Sequence, residues 1–368
     1  MSRIALMGYY GFNNAGDEAI LFSTLRSLRQ RDRSVEVTVL SANPEKTARL
    51  YDVAAADRWK IMSVLKTLWN SDMLVFGGGS ILQDTTSTRS LDYYLWVARL
   101  ALWMRKPVYF MGQGIGPVKA PRSRQKTAAL LNRVTRITVR DRDSKQELLD
   151  MGVTGPEIEV TADLVLGLYH REIERAPGLK VLERNGIGAG FGEKLVGISV
   201  RDWRDLSEYK KVLARVGDQL TEAGCKVVFL PFHFPGDVSC GREVVRQMEA
   251  DALVIRDEVS TIEMLGMVSR MDLIIGMRMH SLIMAAVMGV PAIGLSYDPK
   301  IDAAVSLTGQ TDGGRVENLD SDFITSEALR ILRDREAIAE AQEGIVSPLR
   351  TRARRNIELL LELLGGRL

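Results

Sequence analysis

Short apolar runs recur along the chain, each followed by a loop and then by a segment of helical periodicity. In the first half they are RIALMG (3–8), VEVTVLSA (35–42), MLVFGGG (73–79), PVYFMGQGIG (107–116), RITVRD (136–141) and EVTADLVL (159–166). In the second half they are KLVGISVR (194–201), CKVVFLPF (225–232), ALVIRD (252–257), LIIGMR (273–278) and PAIGLSYD (291–298). Between them lie helical patterns such as DEAILFSTLRSLRQ, SLDYYLWVARLALW and LSEYKKVLARVGDQLTEAG. Strands that are apolar along their whole length are covered on both faces, and their alternation with helices makes the sheets parallel. A chain of 368 residues exceeds one ordinary core. The pattern therefore predicts an α/β protein of two Rossmann-like, doubly wound domains, 1–169 and 194–346, facing each other across a cleft. The stretch 170–193 carries Pro177 and several glycines without a clean period, and reads as the linker. Residues 347–368, after Gly344 and Pro348, read as a C-terminal helical tail.

Composition narrows the class. Hydrophobic residues make up 46% and charged residues 26%, which suits a folded chain with a sizeable core. A net charge of +2 gives no general case for a nucleic-acid partner. The two cysteines, Cys225 and Cys240, form neither a CxxC pair nor a metal-type cluster, so the expectation is inert thiols in a reducing compartment and no metal. The opening MSRIALMG leads directly into a strand, and the apolar stretch MAAVMGVPAIGL is interrupted by Gly289 and Pro291. It is too short to span a bilayer, and a cytoplasmic location is expected.

Ligands of doubly wound sheets bind beyond the carboxyl ends of the strands, so the loops there are the places to read. GYYGFNNAGDEAI (8–20) has three glycines but neither the dinucleotide GxGxxG spacing nor a phosphate-loop lysine. It offers Tyr9, Tyr10, Asn13 and Asn14 to a polyhydroxylated ligand, with Asp17 at a helix start. FGGGSILQD (76–84) ends a strand on three glycines, which allow close approach to the backbone, and supplies Asp84. GQGIGP (112–117) repeats the arrangement with Gln113, and TADLVL supplies Asp163. Each feature alone has a structural reading as a turn or a cap. Together, amide and small residues with an occasional carboxylate describe a sugar-binding face.

The second half differs in sign. KLVGISVR ends in Arg201, LIIGMRMHS carries Arg278 and His280 before a helix opening at Ser281, and PAIGLSYDPK ends in Asp298 and Lys300. Guanidinium groups bind carboxylate and phosphate in bidentate fashion, and helix-start amides assist. By composition this is an anion pocket. The structural alternative for Arg278 is a buried ion pair with an aspartate. Of the three histidines, His170 lies in the linker, His233 follows a strand end, and His280 stands beside Arg278. An anion held by that arginine would favour the protonated, acid form of His280.

Taken together, GYYGFNNAGDEA, FGGGSILQD, GQGIGP and GMRMHSLIMAAVMGVP resemble the polysaccharide pyruvyl transferases over nearly the whole chain, especially those acting on bacterial secondary cell-wall polymers. The resemblance implies a GT-B-like fold, phosphoenolpyruvate as donor and a pyruvate ketal placed across two sugar hydroxyls. It implies as acceptor the N-acetylmannosamine of a lipid-linked ManNAc-GlcNAc disaccharide, modified at O4 and O6. It maps donor contacts onto Arg201, Arg278, the backbone of Met279, and His280. On that basis Arg201 and Arg278 take the two anionic groups, with Lys300 screening the phosphate. His280 is the candidate acid toward C3 of the enol, and Asp17, Asp84 and Asp163 are candidate bases. Phosphoenolpyruvate would be a co-substrate, with no cofactor. A lipid-linked acceptor calls for peripheral membrane contact at the inner face, for which DYYLWVARLALWMRK (92–106) and SPLRTRARRNIELLLELL (347–364) are candidates. The rival readings are a glycosyltransferase with a nucleotide-sugar donor and a non-catalytic carbohydrate-binding protein.

Overall fold

Two units, each built on one parallel sheet, make up the computed structural model, which describes residues 2–85, 87–188 and 193–366. The first unit comprises residues 1–12, 17–167 and 349–368; the second comprises 13–16 and 168–348. Among the described residues no helix is long and apolar enough to cross a membrane.

In the first unit the elements run β1 (Arg3–Met7), α1 (Ala15–Arg31), β2 (Glu36–Ser41), α2 (Pro44–Tyr51), β3 (Ala54–Asp57), α3 (Ile61–Trp69) and β4 (Met73–Leu82). They continue with α4 (Thr88–Trp103), β5 (Val108–Ile115), α5 (Pro121–Leu131), β6 (Arg136–Val139), α6 (Arg142–Asp150) and β7 (Ile158–Val160). The strands pair in the order β3-β2-β1-β4-β5-β6-β7, all parallel, with the direction of winding reversing between β1 and β4. The run 159–166 makes a strand only at its start, and Leu164–Gly167 closes into a 3-10 turn. Gly78 and Gly79 of β4 have left-handed backbones, and a Cβ on Gly78 would press on Ile20 of α1 at 2.8 Å. The groups approaching the triple glycine are therefore the protein's own, Tyr10 at Gly77 and the first helix with Leu164 at Gly78.

In the second unit the elements are α7 (Ala176–Arg184), β8 (Lys194–Ser199), α8 (Glu208–Glu222), β9 (Cys225–Phe229), α9 (Gly236–Val245), β10 (Leu253–Val254) and α10 (Thr261–Val268). After these come β11 (Leu273–Gly276), α11 (Met279–Met288), β12 (Ala292–Ser296), α12 (Pro299–Thr308), β13 (Thr311–Arg315), α13 (Ser321–Arg333) and α14 (Arg335–Gly365). The sheet order is β10-β9-β8-β11-β12-β13, again all parallel, with its reversal between β8 and β11. Helix starts follow local chemistry: Ser260 and Glu263 form a reciprocal capping box at α10, and Asp298 caps α12 ahead of Pro299.

Two expectations need correction. The stretch 170–193 is more than a linker, since α7 buries Val181 and Leu182 and crosses α10 closely. A Cβ on Gly178 would lie 2.3 Å from the amide nitrogen of Met267. Its glycines at 190 and 192 lie outside the described residues. The tail does not begin at 347 either: α14 is one helix from Arg335 that contains Pro348, the residue at which it passes from the second unit to the first. Its leucine stripe is packed, with Leu359, Leu360 and Leu364 buried. Arg352 and Arg354 donate to the carbonyls of Thr161 and Gly167, so this tail is not a free basic surface for a membrane.

Candidate active site

In the first unit several sequence candidates prove to be structural. Tyr10 is buried, and its hydroxyl donates to the carbonyl of Gly77 at 2.6 Å. Gln113 is fully buried, donating from Nε2 to the carbonyls of Phe76, Gly78 and Met111. Asp163 is buried, faces Arg140 at 3.4 Å and accepts the amide of Val165, which starts the 3-10 turn. Asp84 accepts the amides of Lys119 and Ala120 at 2.8 Å each, just ahead of α5. Burial acts to raise its pKa, but these amides and the Ser123 hydroxyl outweigh it and hold the carboxyl below its ordinary range. Each of these four side chains therefore has a structural role in the first unit.

Tyr9 and Asp17 remain at the carboxyl edge of the first sheet, where its winding reverses. Tyr9 is half-buried and stacks on Phe12 with ring centroids 4.0 Å apart. Burial first, then the nearby Asp17 charge, pushes its phenol up, with Arg58 opposing. Asp17 stands in the first turn of α1, its carboxylate 3.1 Å from where a Cβ on Gly79 would sit.

The second unit gathers the cationic candidates around its own reversal point. Arg278 follows β11 and serves as the N-cap residue of α11 without a side-chain cap, so the first-turn amides at Met279 and His280 point outward from a helix start. Its guanidinium is clamped by Asp237, with Nε donating to Oδ2 at 2.8 Å and Nη2 to Oδ1. Asp237, nearly inaccessible at 4%, also accepts the amides of Phe232 and His233 at 3.1 and 2.9 Å. The ion-pair alternative for Arg278 is therefore the observed geometry, and it fixes the orientation of the group. Arg201, beyond the end of β8, has no carboxylate partner among the described residues. Nη1 donates to the Tyr297 hydroxyl at 2.9 Å, and the guanidinium lies over the Tyr297 and Trp203 rings at 5.0 and 5.5 Å. Lys300 shares that tyrosine, 5.7 Å from its ring, and lies 3.7 Å from Asp298.

Asn13 and Asn14 join this cluster. Asn14 forms an isolated bridge with His233, its Oδ1 accepts the Gly16 amide at 3.0 Å, and the Asn13 carbonyl accepts the Phe234 amide at 3.1 Å. Gly16 abuts the His280 ring so closely that a Cβ there would sit 2.2 Å from Nδ1. His233 is held neutral: burial first, then Arg278, lowers its proton affinity, Asp237 opposes, and Arg201 lowers it further. Arg201 and Arg278 follow neighbouring strands, β8 and β11, at the reversal point of the sheet. Ser199 and Ser296 end the strands on either side of β11, and their buried hydroxyls have no hydrogen-bond partner among the described residues. Such an assembly can offer a small anion one unpaired guanidinium and a second one oriented by Asp237, supply hydroxyl and amide donors to it, and set an imidazole beside it. Among the described residues no group of three or more His, Cys, Asp or Glu side chains is arranged to hold a metal ion.

Comparison with known proteins agrees with this chemistry. Residues 14–299, which include the cluster apart from Asn13 and Lys300, match the family model described as polysaccharide pyruvyl transferase. The chain belongs to the polysaccharide pyruvyl transferase family. It is 23% identical over 358 residues to the amylovoran biosynthesis protein AmsJ of Erwinia amylovora, covering 81% of this chain and 84% of that protein. As a polysaccharide pyruvyl transferase it is an enzyme of pyruvyl transfer in polysaccharide synthesis.

Similar solved structures share the fold. The UDP-GlcNAc 2-epimerase of Neisseria meningitidis is 14% identical with a TM-score of 0.64, covering 98% of this chain and 100% of that one. The S. aureus MnaA–UDP structure is 12% identical with a TM-score of 0.68, covering 99% and 97%. Anabaena Alr3699/HepE in complex with UDP-glucose is 14% identical with a TM-score of 0.61, covering 98% and 99%. The transferase is thus GT-B-like, with two Rossmann-like units. The sequence reading missed Asp237, Trp203 and Tyr297 as parts of its site. The two aromatics lie in RDWRD and SYDPK, beside the cations that were noticed, and cation–π partners were the available signal.

Proposed function

We propose that this transferase moves the pyruvyl group of phosphoenolpyruvate onto the N-acetylmannosamine of a lipid-linked ManNAc-GlcNAc precursor in the cytoplasm, forming a 4,6-ketal and releasing phosphate. The observation that carries the donor assignment is Arg201, a guanidinium held by a tyrosine hydroxyl and two rings and left without a carboxylate. A cation fixed in this way is prepared for an anion from outside the chain. Arg278, oriented by Asp237, and the amides opening α11 complete the receptor for the second anionic group.

In this reading His280 delivers a proton to C3 of the enol phosphate, which becomes the methyl group. The electron-poor C2 accepts one sugar hydroxyl, whose proton is lost to a base. Phosphate then leaves with the C–O bonding pair, and the second hydroxyl closes the ketal while its proton restores the acid. We assign the base role to Asp17, since Asp84 and Asp163 are engaged by backbone amides and by Arg140. Within the acceptor set Tyr9, Asn13 and Asn14 stay with the reading, and Lys300 stays as a screen for the phosphate.

The test is phosphate release from phosphoenolpyruvate with a synthetic lipid-linked ManNAc-GlcNAc disaccharide, beside an acceptor-free control and His280→Ala. Acceptor-dependent release that falls by at least about a thousandfold in the variant is expected from loss of a general acid. Near-normal turnover in the variant would remove His280 from the mechanism. Binding of a nucleotide sugar without any release would replace the donor.

A further inference from the structure

We infer that the surface formed by α3 and α4 of the first unit docks on an anionic membrane. Among the described residues, the large apolar side chains that are more than half exposed are Trp59, Ile61, Met62, Trp69 and Trp103. All five lie at the start of α3, along it, or at the end of α4. Exposed side chains of this size scattered over a surface need no explanation, whereas their confinement to one place does.

The surface is continuous. At one end the rings of Phe12, Trp59, Tyr93 and Trp96 follow one another with centroids 6.2, 5.5 and 6.1 Å apart, joining the start of α3 to the middle of α4. At the other end Lys106, just past α4, donates from Nζ to the carbonyl of Trp69 at 3.1 Å. The two helices are tied together at both ends. Met62, Lys66 and Trp69 share the outer stripe of α3 at spacings of four and three residues, and Trp96, Leu100 and Trp103 share one stripe of α4.

Chemistry selects the occupant. Four of the chain's five tryptophans are here, and an indole, with an apolar body and one N–H, suits the headgroup boundary. The polar residues interspersed with them include the basic Lys66, Arg99 and Arg105 beside Ser63, Asn70 and Asp92. Lys66, Arg99 and Arg105 have no carboxylate partner among the described residues, while the nearby Asp57 and Asp92 are paired with Lys60 and Lys126. Tryptophan, methionine and arginine also serve protein interfaces, but indoles at the headgroup boundary with unpaired basic groups beside them match the charge of an anionic bilayer surface. Since no described helix can span a bilayer, this contact is interfacial. It stands independently of the donor and acceptor assignments.

The test is sedimentation of the full chain with vesicles of phosphatidylcholine mixed with phosphatidylglycerol, beside pure phosphatidylcholine, for the wild type and for Met62→Ser/Trp69→Ser/Trp103→Ser. Binding to the anionic vesicles that weakens with salt, and that drops by about a hundredfold in a variant with an unchanged melting temperature, is expected from the loss of three large apolar contacts. Absence of wild-type binding overturns the inference, as does equal binding by the folded variant. A wild-type dimer that the variant abolishes, without vesicle binding, would assign the face to a second copy instead. Should the triple variant not fold, brominated phospholipid in the anionic vesicles decides with the wild type and Trp103→Phe. Quenching of tryptophan emission that shrinks in Trp103→Phe supports the inference, and no quenching overturns it.

Discussion

Gly16 is where the placement of His280 is decided. The residue opens α1 with ordinary helical geometry, so alanine is welcome to the backbone; what alanine does not fit is the imidazole, whose Nδ1 lies 2.2 Å from the new Cβ. Gly16→Ala should therefore leave the fold intact and displace the ring and, under the acid role proposed for His280, lower kcat by at least about tenfold. Kinetics on the single and double variants check this. Added to His280→Ala, Gly16→Ala should cost nothing further, and an additive loss would show that the glycine acts elsewhere. At this scale the strand-end positions of Arg201, Arg278 and His280 were readable, because each follows an apolar run. It misled where a polar residue was consumed by the fold. Gln113 and Tyr10 look like ligand contacts in a string of letters, and only the three-dimensional neighbours reveal carbonyls that absorb their donors.

At the scale of elements, the last turns of α14 are fixed to the first sheet by Asn356. Its side chain is wholly buried, with Oδ1 accepting the hydroxyls of Thr138 and Thr161 at 2.6 and 3.0 Å. Nδ2 donates to the carbonyls of Ala353 and Ala162 at 2.9 and 3.3 Å. Asn356→Leu keeps the volume and strands those partners, at a cost of about 2–4 kcal/mol. A thermal melt should then show the first unit's midpoint lower by about 5–10 °C; an unchanged midpoint would mean that the network is replaceable by packing. Elements with strong chemistry were legible beforehand: the apolar strands near residues 3, 36, 73 and 108 begin within about a residue of their expected starts. Those with weak chemistry were not. The strand AAAD (β3) lacks β-branched residues, and TDGGR (β13) is a polar edge strand whose glycines oppose extended structure on propensity. The long helix hid for a different reason, because Pro348 reads locally as a break.

At the scale of the whole molecule, the chain completes its first unit with its last residues. Leu349, Ile357, Leu359, Leu360 and Leu364 are all buried in that unit, beyond Pro348. Burying a large apolar side chain contributes about 1.5–3 kcal/mol, so these five contribute about 8–15 kcal/mol, as much as the entire stability of an ordinary domain. Ending the chain after Pro348 should consequently unfold the first unit, although its sheet and all its strands are retained. The second unit keeps its own core and its share of α14, including Gln342, which donates to the carbonyl of Thr308 at 3.2 Å, and Arg335, which faces Asp272 at 3.5 Å. Hydrogen exchange read by peptide separates the two. Amides across 17–167 should lose their protection while those across 194–333 hold theirs. Protection surviving in both would show that the sheet closes its core without the returning helix. Loss in both would show that the second unit depends on the first for its stability, so that a split drawn at residue 170 describes the sequence pattern and not the folding units.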